Sequence, residues 1–206
     1  MPLSAIVKTE VSENIEKYEG RIPHLYLDTV GKVTVGIGHM LPNKAAISAV
    51  TMYKKGANNL LVLATTTEKY AEYDSIKKRP FGRSYGAASF NKYTTLIMED
   101  ADIDAQRDEH ILSFYKELTD YYTTANGFTT AFDTMPIDIQ KALFDMVFNL
   151  GITKLKKQYV KLNGFIKSEK WDDAAKQSNR VGISPTRNKY VFDLFKAAHN
   201  KNTKAL

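Results

Sequence analysis

The chain contains no cysteine in 206 residues, which excludes a disulfide framework, a thiolate nucleophile and any cysteine-ligated zinc or iron–sulfur centre. Long apolar runs are missing as well. The longest aliphatic stretch, Leu60 to Ala64, falls far short of the ~18 residues that a membrane-spanning helix needs, so no membrane insertion is expected. The first residues carry Lys8, Glu10, Glu13 and Glu16 rather than a basic segment followed by an apolar one. No secretory signal is therefore expected, and synthesis in the cytoplasm is. Histidine is scarce: positions 24, 39, 110 and 199 are scattered, with no His-Glu-x-x-His spacing, so neither a metal site nor a cofactor is implied. The acidic run Glu99 to Asp104 lacks the glycine of a calcium loop and reads as a helix start, where its charges suit the dipole.

What is present is an ordinary globular mixture, 43% hydrophobic and 25% charged, enough for one sizeable domain or two small lobes. There are 29 basic against 23 acidic side chains, a formal net charge of +6. The excess comes in blocks: −1 for residues 1–40, +6 for 41–92, −8 for 93–150 and +9 for 151–206. Such blocks point to an anionic partner, either nucleic acid, an acidic membrane or a bacterial wall.

Periodicity organises the chain as α+β, mostly α. Ile6, Val7, Val11, Ile15 and Tyr18 recur at helical spacing behind a Ser4 cap, and Gly20 ends that helix. Residues 24–28 and 33–38 alternate with period two around the turn 28–31, a β-hairpin. Helical spacing returns over 96–122, 137–150, 159–177 and 190–198. Within 41–92 we expect helical pieces at 45–53 and 60–64, then a basic, aromatic, turn-rich stretch over 77–90 that reads as an insertion or lobe edge. The tail from Asn200 is expected to fray.

Three side chains then carry chemistry: Glu19, Asp28 and Thr34. Glu19 lies four residues after Ile15, on the buried stripe of its helix and at the negative end of the dipole, which suits a general acid. Asp28 and Thr34 are symmetric about Gly31, so a hairpin centred there pairs them on one face and sends Val33 and Val35 into the core. A carboxyl on a helix end, with a carboxylate and a hydroxyl on an adjoining hairpin, is equipment for glycosidic hydrolysis. By residue type alone, a turn-forming Asp and a solvated Glu explain the same positions.

A resemblance separates the two readings. Glu19, eight residues, Asp28, five residues, Thr34, then Gly36-Ile-Gly-His39 resembles the active-site region of the phage-type lysozymes, the T4 lysozyme family (glycoside hydrolase family 24). Met146-Val-Phe-Asn-Leu-Gly151, Lys170-Trp-Asp-Asp-Ala-Ala175 and Ser184-Pro-Thr-Arg187 are similar to further family elements in the same order. The resemblance implies a single lysozyme domain over 1–206 with a two-lobe fold. Residues 1–95 would form a small hairpin-bearing N-terminal lobe that includes the 41–92 insertion, and 96–206 a linking helix with a helical C-terminal lobe. It implies Glu19 as the acid, Asp28 as the group that orients water and Thr34 as its support. Met40, Phe148, Asn149 and Gln177 would contact glycan. His39 would pair with Asp100 in a supporting role, and Arg187 with Glu19.

The implied activity is muramidase action on the β-1,4 bond between N-acetylmuramic acid and N-acetylglucosamine, with inversion and no cofactor. The implied partner is the peptidoglycan glycan strand, reached after holin- or secretion-dependent delivery to the wall, with an immunity protein or carrier as a further partner and a monomer as the expected state. A non-catalytic wall-binding module is the alternative. Competing signals are weaker. Gly82-Arg-Ser-Tyr-Gly86 matches a nucleophile elbow, but the charges and Pro80 before it do not make a buried strand. The basic–aromatic interleaving at 77–85 suits nucleic acid, but no recognisable nucleic-acid module accompanies it, and no such partner is expected.

Overall fold

The computed structural model describes residues 3–204. The fold is mixed α+β and mostly helical, with small antiparallel sheets. Helix α1 (Ala5–Glu19) buries Val7, Val11 and Ile15, one stripe at spacing four, and stops at Gly20, whose φ of +74° is left-handed. Contacts divide the chain into two compact units. One comprises residues 1–18 and 110–206, the other 19–109. The division falls inside α1 and inside a later helix, so most of the first helix belongs with the helical unit, whereas an N-terminal lobe of 1–95 was expected.

The 19–109 unit is built on two three-stranded sheets. In the first, β1 (Ile22–Leu27), β2 (Val33–Gly36) and β3 (His39–Leu41) pair antiparallel in that order. Val33 and Val35 are fully buried as expected, and Thr34 between them is only 3% exposed, since β2 is the central strand. The register differs from the symmetric expectation: Thr34 faces Tyr26 and Leu27 faces Val33. The reason is the turn. Asp28 N–H donates to the Lys32 carbonyl at 2.9 Å, which leaves a three-residue loop closed, not centred, by Gly31 at φ +77°. A slip of two residues preserves the faces, so Asp28 and Thr34 remain neighbours on one side, diagonal instead of opposite.

The second sheet has the order β5-β4-β6, from β4 (Tyr53–Lys55), β5 (Leu61–Leu63) and β6 (Leu96–Ile97). The expected helical piece at 60–64 is thus the exposed strand β5, Leu61–Leu63. A run this short has no decisive periodicity, and Asn58 and Asn59, both near φ +60°, reverse the chain before it. The expected piece at 45–53 is a 3-10 turn, Lys44–Ala49, followed by β4. Helix α2 (Thr66–Lys77) opens with a Thr65/Glu68 capping box. Its buried Glu72 accepts hydrogen bonds from Thr95 N–H at 2.6 Å and Leu96 N–H at 3.0 Å, fixing β6 against the helix. Ile47, Met52, Ile76, Phe90 and Met98 form the core of this unit.

Helix α3 (Asp100–Tyr121) crosses into the helical unit. There α4 (Ile137–Leu150) is buried over nearly its whole length, which its apolar sequence dictates. Around it stand α5 (Ile152–Gln158), α6 (Val160–Lys167), α7 (Trp171–Lys176) and α8 (Pro185–Lys204). The helix expected over 159–177 is interrupted at Glu169, which takes φ 54°. Helix α8 continues through the expected fraying point, where Lys201 donates to Asp138 at 2.6 Å. Residues 205–206, the end of that expected tail, lie outside the described residues. No helix among the described residues is long and apolar enough to cross a membrane.

Candidate active site

Glu19, Asp28 and Thr34 all belong to the 19–109 unit. Glu19 closes α1 and is half-buried. Its carboxylate packs on Gly38 in the tight turn between β2 and β3: a Cβ at that position would lie 3.2 Å from Glu19 Oε2. Gly38 also has φ +69°, so both space and conformation demand glycine there.

Asp28 serves two purposes. Its Oδ1 accepts from Val30 N–H at 2.9 Å and Lys32 N–H at 2.8 Å, the turn-forming role that its sequence context allows. Its Oδ2 takes no hydrogen bond from the described residues and keeps its acceptor capacity for another molecule. Thr34 Oγ–H donates to the Lys32 carbonyl at 3.2 Å, which leaves the hydroxyl lone pairs as acceptors.

Tyr26 stands opposite Thr34, and its hydroxyl is pushed up to about 12 by burial first, then by the negative charges of Glu19 and Asp28. A phenol that both carboxylates influence marks a common neighbourhood, and at neutral pH it remains a proton donor. On the other side of Thr34 lies Met40, directly across from it on β3 and 46% exposed.

The turn that carries Asp28 is held from outside. Lys77, at the end of α2, donates from Nζ to the Gly31 carbonyl at 2.6 Å. The Phe81 ring lies against Gly31 so closely that a Cβ there would meet it at 2.9 Å. The basic stretch at 77–90, expected as an insertion or lobe edge, thus supplies a clamp on the hairpin.

Of the supporting residues, His39 is half-buried on β3. Asp100 opens α3 and pairs with Arg21 at 3.2 Å. Arg21 reaches both Asp100 and Asp104 one turn apart, the second at 2.6 Å.

The remaining expected residues lie in the helical unit. Arg187 is buried and donates from Nε to Asp145 Oδ2 at 2.9 Å, with its guanidinium 4.9 Å from the Tyr18 ring. Asn149 accepts from Arg180 Nη1 at 2.5 Å. Phe148 is half-buried, edge-on to Phe114 at 5.6 Å, and Gln177 is exposed at the end of α7. Asp145 is the centre here, accepting from Arg180, Arg187 and Asn14.

Sequence reasoning missed Tyr26, Lys77, Phe81 and Asp145. Tyr26 was within reach, since strand alternation puts it on the face of Asp28. Lys77 and Phe81 are brought to Gly31 only by long-range packing. No protein-family model matches the chain, and no curated protein matches it.

Proposed function

We propose that the chain is a muramidase that hydrolyses the β-1,4 bond between N-acetylmuramic acid and N-acetylglucosamine in peptidoglycan, with inversion at the anomeric carbon. The carrying observation is the pair Glu19 and Asp28, set at the spacing of the phage-type lysozymes, with Glu19 packed on Gly38 and Asp28 held in its turn through Oδ1. In this reading Glu19 protonates the leaving glycosidic oxygen. Asp28 Oδ2 takes a proton from water as the water oxygen attacks the anomeric carbon from the opposite face. Thr34 offers that water a further acceptor. No metal or organic cofactor enters the reaction.

The same reading gives the chain the two-lobe fold of that family, with Met40 on one lobe and Phe148, Asn149, Gln177 and Arg187 on the other. It acts as a monomer on glycan strands after delivery to the wall by a holin or a secretion system, and an immunity protein or carrier is a further partner. The basic blocks concentrate it on an anionic wall, an effect that salt weakens.

The commitment of Asp28 Oδ1 to its turn favours a second reading, a module that binds glycan without cutting it. Incubation with purified sacculi decides between them. The muramidase releases soluble muropeptides whose new reducing ends start in the inverted configuration; a binding module co-sediments and releases none. Retention of configuration, or trapping of a covalent glycosyl-enzyme, overturns the inverting mechanism.

A further inference from the structure

Four consecutive aliphatic side chains of the 41–92 segment stand in water: Leu60 is 68% exposed, Leu61 36%, Val62 46% and Leu63 62%. Burial of such a run is strongly favourable, and an apolar edge strand is a liability that proteins usually blunt. Here β5 is the edge of its sheet and lends no side chain to the core. The hairpin is nonetheless well built. Gly56 N–H donates to the Leu60 carbonyl at 2.7 Å, and a Cβ on Gly56 would meet Val62 at 2.9 Å.

Within the 41–92 segment the charge is mostly positive, while Glu99 and Asp102 lie close to Tyr53 on β4. Every acid of the segment is engaged: Glu68 by Lys54, Asp74 by Lys44, and Glu72 by donors from Thr95 and Leu96. Lys55 and Lys92 are exposed and have no acidic partner among the described residues. A groove lined by Lys54, Lys55 and Asn91 continues the basic face from β4 toward Tyr93, which lies between Arg79 at 4.1 Å and Lys92 at 5.0 Å.

We infer that the β4–β5 hairpin docks the protein on the surface of an anionic lipid bilayer. Leu60 to Leu63 enter the boundary between headgroups and acyl chains, while Lys55 and Lys92 meet lipid phosphates. A lipid surface accounts for both halves of the observation. An anionic wall polymer would meet the lysines and leave the aliphatic run unexplained, and a second copy would bring two faces of the same positive sign together. The contact is peripheral and independent of the hydrolytic reading.

The test uses the full chain with vesicles of phosphatidylglycerol and phosphatidylcholine, against phosphatidylcholine alone, in a sedimentation assay. The expected result is binding to the anionic vesicles only, weakening as salt rises. Leu60→Ser with Leu63→Ser should weaken it about tenfold or more, and Lys55→Gln with Lys92→Gln about tenfold, with the circular dichroism spectrum unchanged. Because the chain has no cysteine, Leu63→Cys accepts a single polarity-sensitive dye whose emission should shift to the blue on anionic vesicles. Absence of binding, binding indifferent to the serine pair, or a dye that does not shift overturns the proposal. So does a concentration-dependent dimer that the serine pair abolishes, which would assign the patch to a second copy.

Discussion

Asp28 and Asp145 both organise the backbone around them, but they are finished to different degrees. The Asp145 side chain is 1% exposed and fully occupied: Arg180 donates to Oδ1 at 2.5 Å, while Arg187 at 2.9 Å and Asn14 at 3.1 Å donate to Oδ2. These donors join α1, α4, α8 and the segment before α8. Asp28 is half-buried, spends one oxygen on its own turn and leaves the other open. A saturated carboxylate is a structural tie, since nothing further can bind it. A carboxylate held rigid by one oxygen and open at the other is placed for chemistry.

Five changes probe that contrast. The largest effect is expected from Glu19→Gln: hydrolysis of sacculi falls by ~10²–10⁴, the range for loss of a general acid, with the thermal midpoint little changed. Near-normal clearing by this variant would remove the muramidase reading. Asp145→Asn should do the reverse, lowering stability in a urea titration by ~3–5 kcal/mol because two buried guanidinium groups lose their counter-charge. If instead it behaves like a surface substitution, the cluster is not the tie described.

Gly38→Ala should cut kcat by up to about 10² by displacing the Glu19 carboxylate, a misplacement effect, while losing ~1–2 kcal/mol of stability to left-handed strain. Lys77→Met tests the clamp. We expect kcat to fall about tenfold with KM nearly constant and partial recovery in Lys77→Arg, because the turn that aims Asp28 is loosened. Equal loss in both variants would mean that the ammonium is not what holds Gly31.

The smallest effect is acid sensitivity of the helical unit. Burial raises the Asp138 carboxyl, but the ammonium groups of Lys201 and Lys141 outweigh it and hold it below the usual range. Lys176 and then Lys196 bring Asp172 down from 3.8 to about 2. Both folded values are depressed, so the stabilisation is complete above the unfolded value. It drains away as pH falls from about 4 through about 2. Hydrogen exchange in α8 across that window should rise modestly, since Asp172 and its lysines are only partly buried and are screened by solvent. Lys196→Met should flatten the response.

Much of this was legible in the chain itself. The stripe Val7, Val11, Ile15 fixed α1, and Gly20 fixed its end, because helical spacing and a left-handed glycine are local signals. The hairpin and its inward valines were equally local. The Asp28–Thr34 register was misjudged by two residues, since the turn closes on Gly31 through backbone hydrogen bonds that symmetry of numbering does not reveal. The piece at 60–64 was misread as helical because a short apolar run carries no period, and only two asparagines in left-handed conformation, with β4 alongside, made Leu61–Leu63 a strand.

By itself, then, the amino-acid sequence determined the long helices α1, α3, α4 and α8, the hairpin face shared by Asp28 and Thr34, the absence of thiol chemistry and the block pattern of charge. Tertiary structure decided which oxygen of Asp28 is spent on its turn, that Lys77 and Phe81 grip the turn at Gly31, that Asp100 serves Arg21, and that an aliphatic strand is left in water beside exposed lysines. The physical reason is range. Propensity and period act over a few residues, whereas hydrogen-bond saturation and exposure depend on which distant side chains arrive.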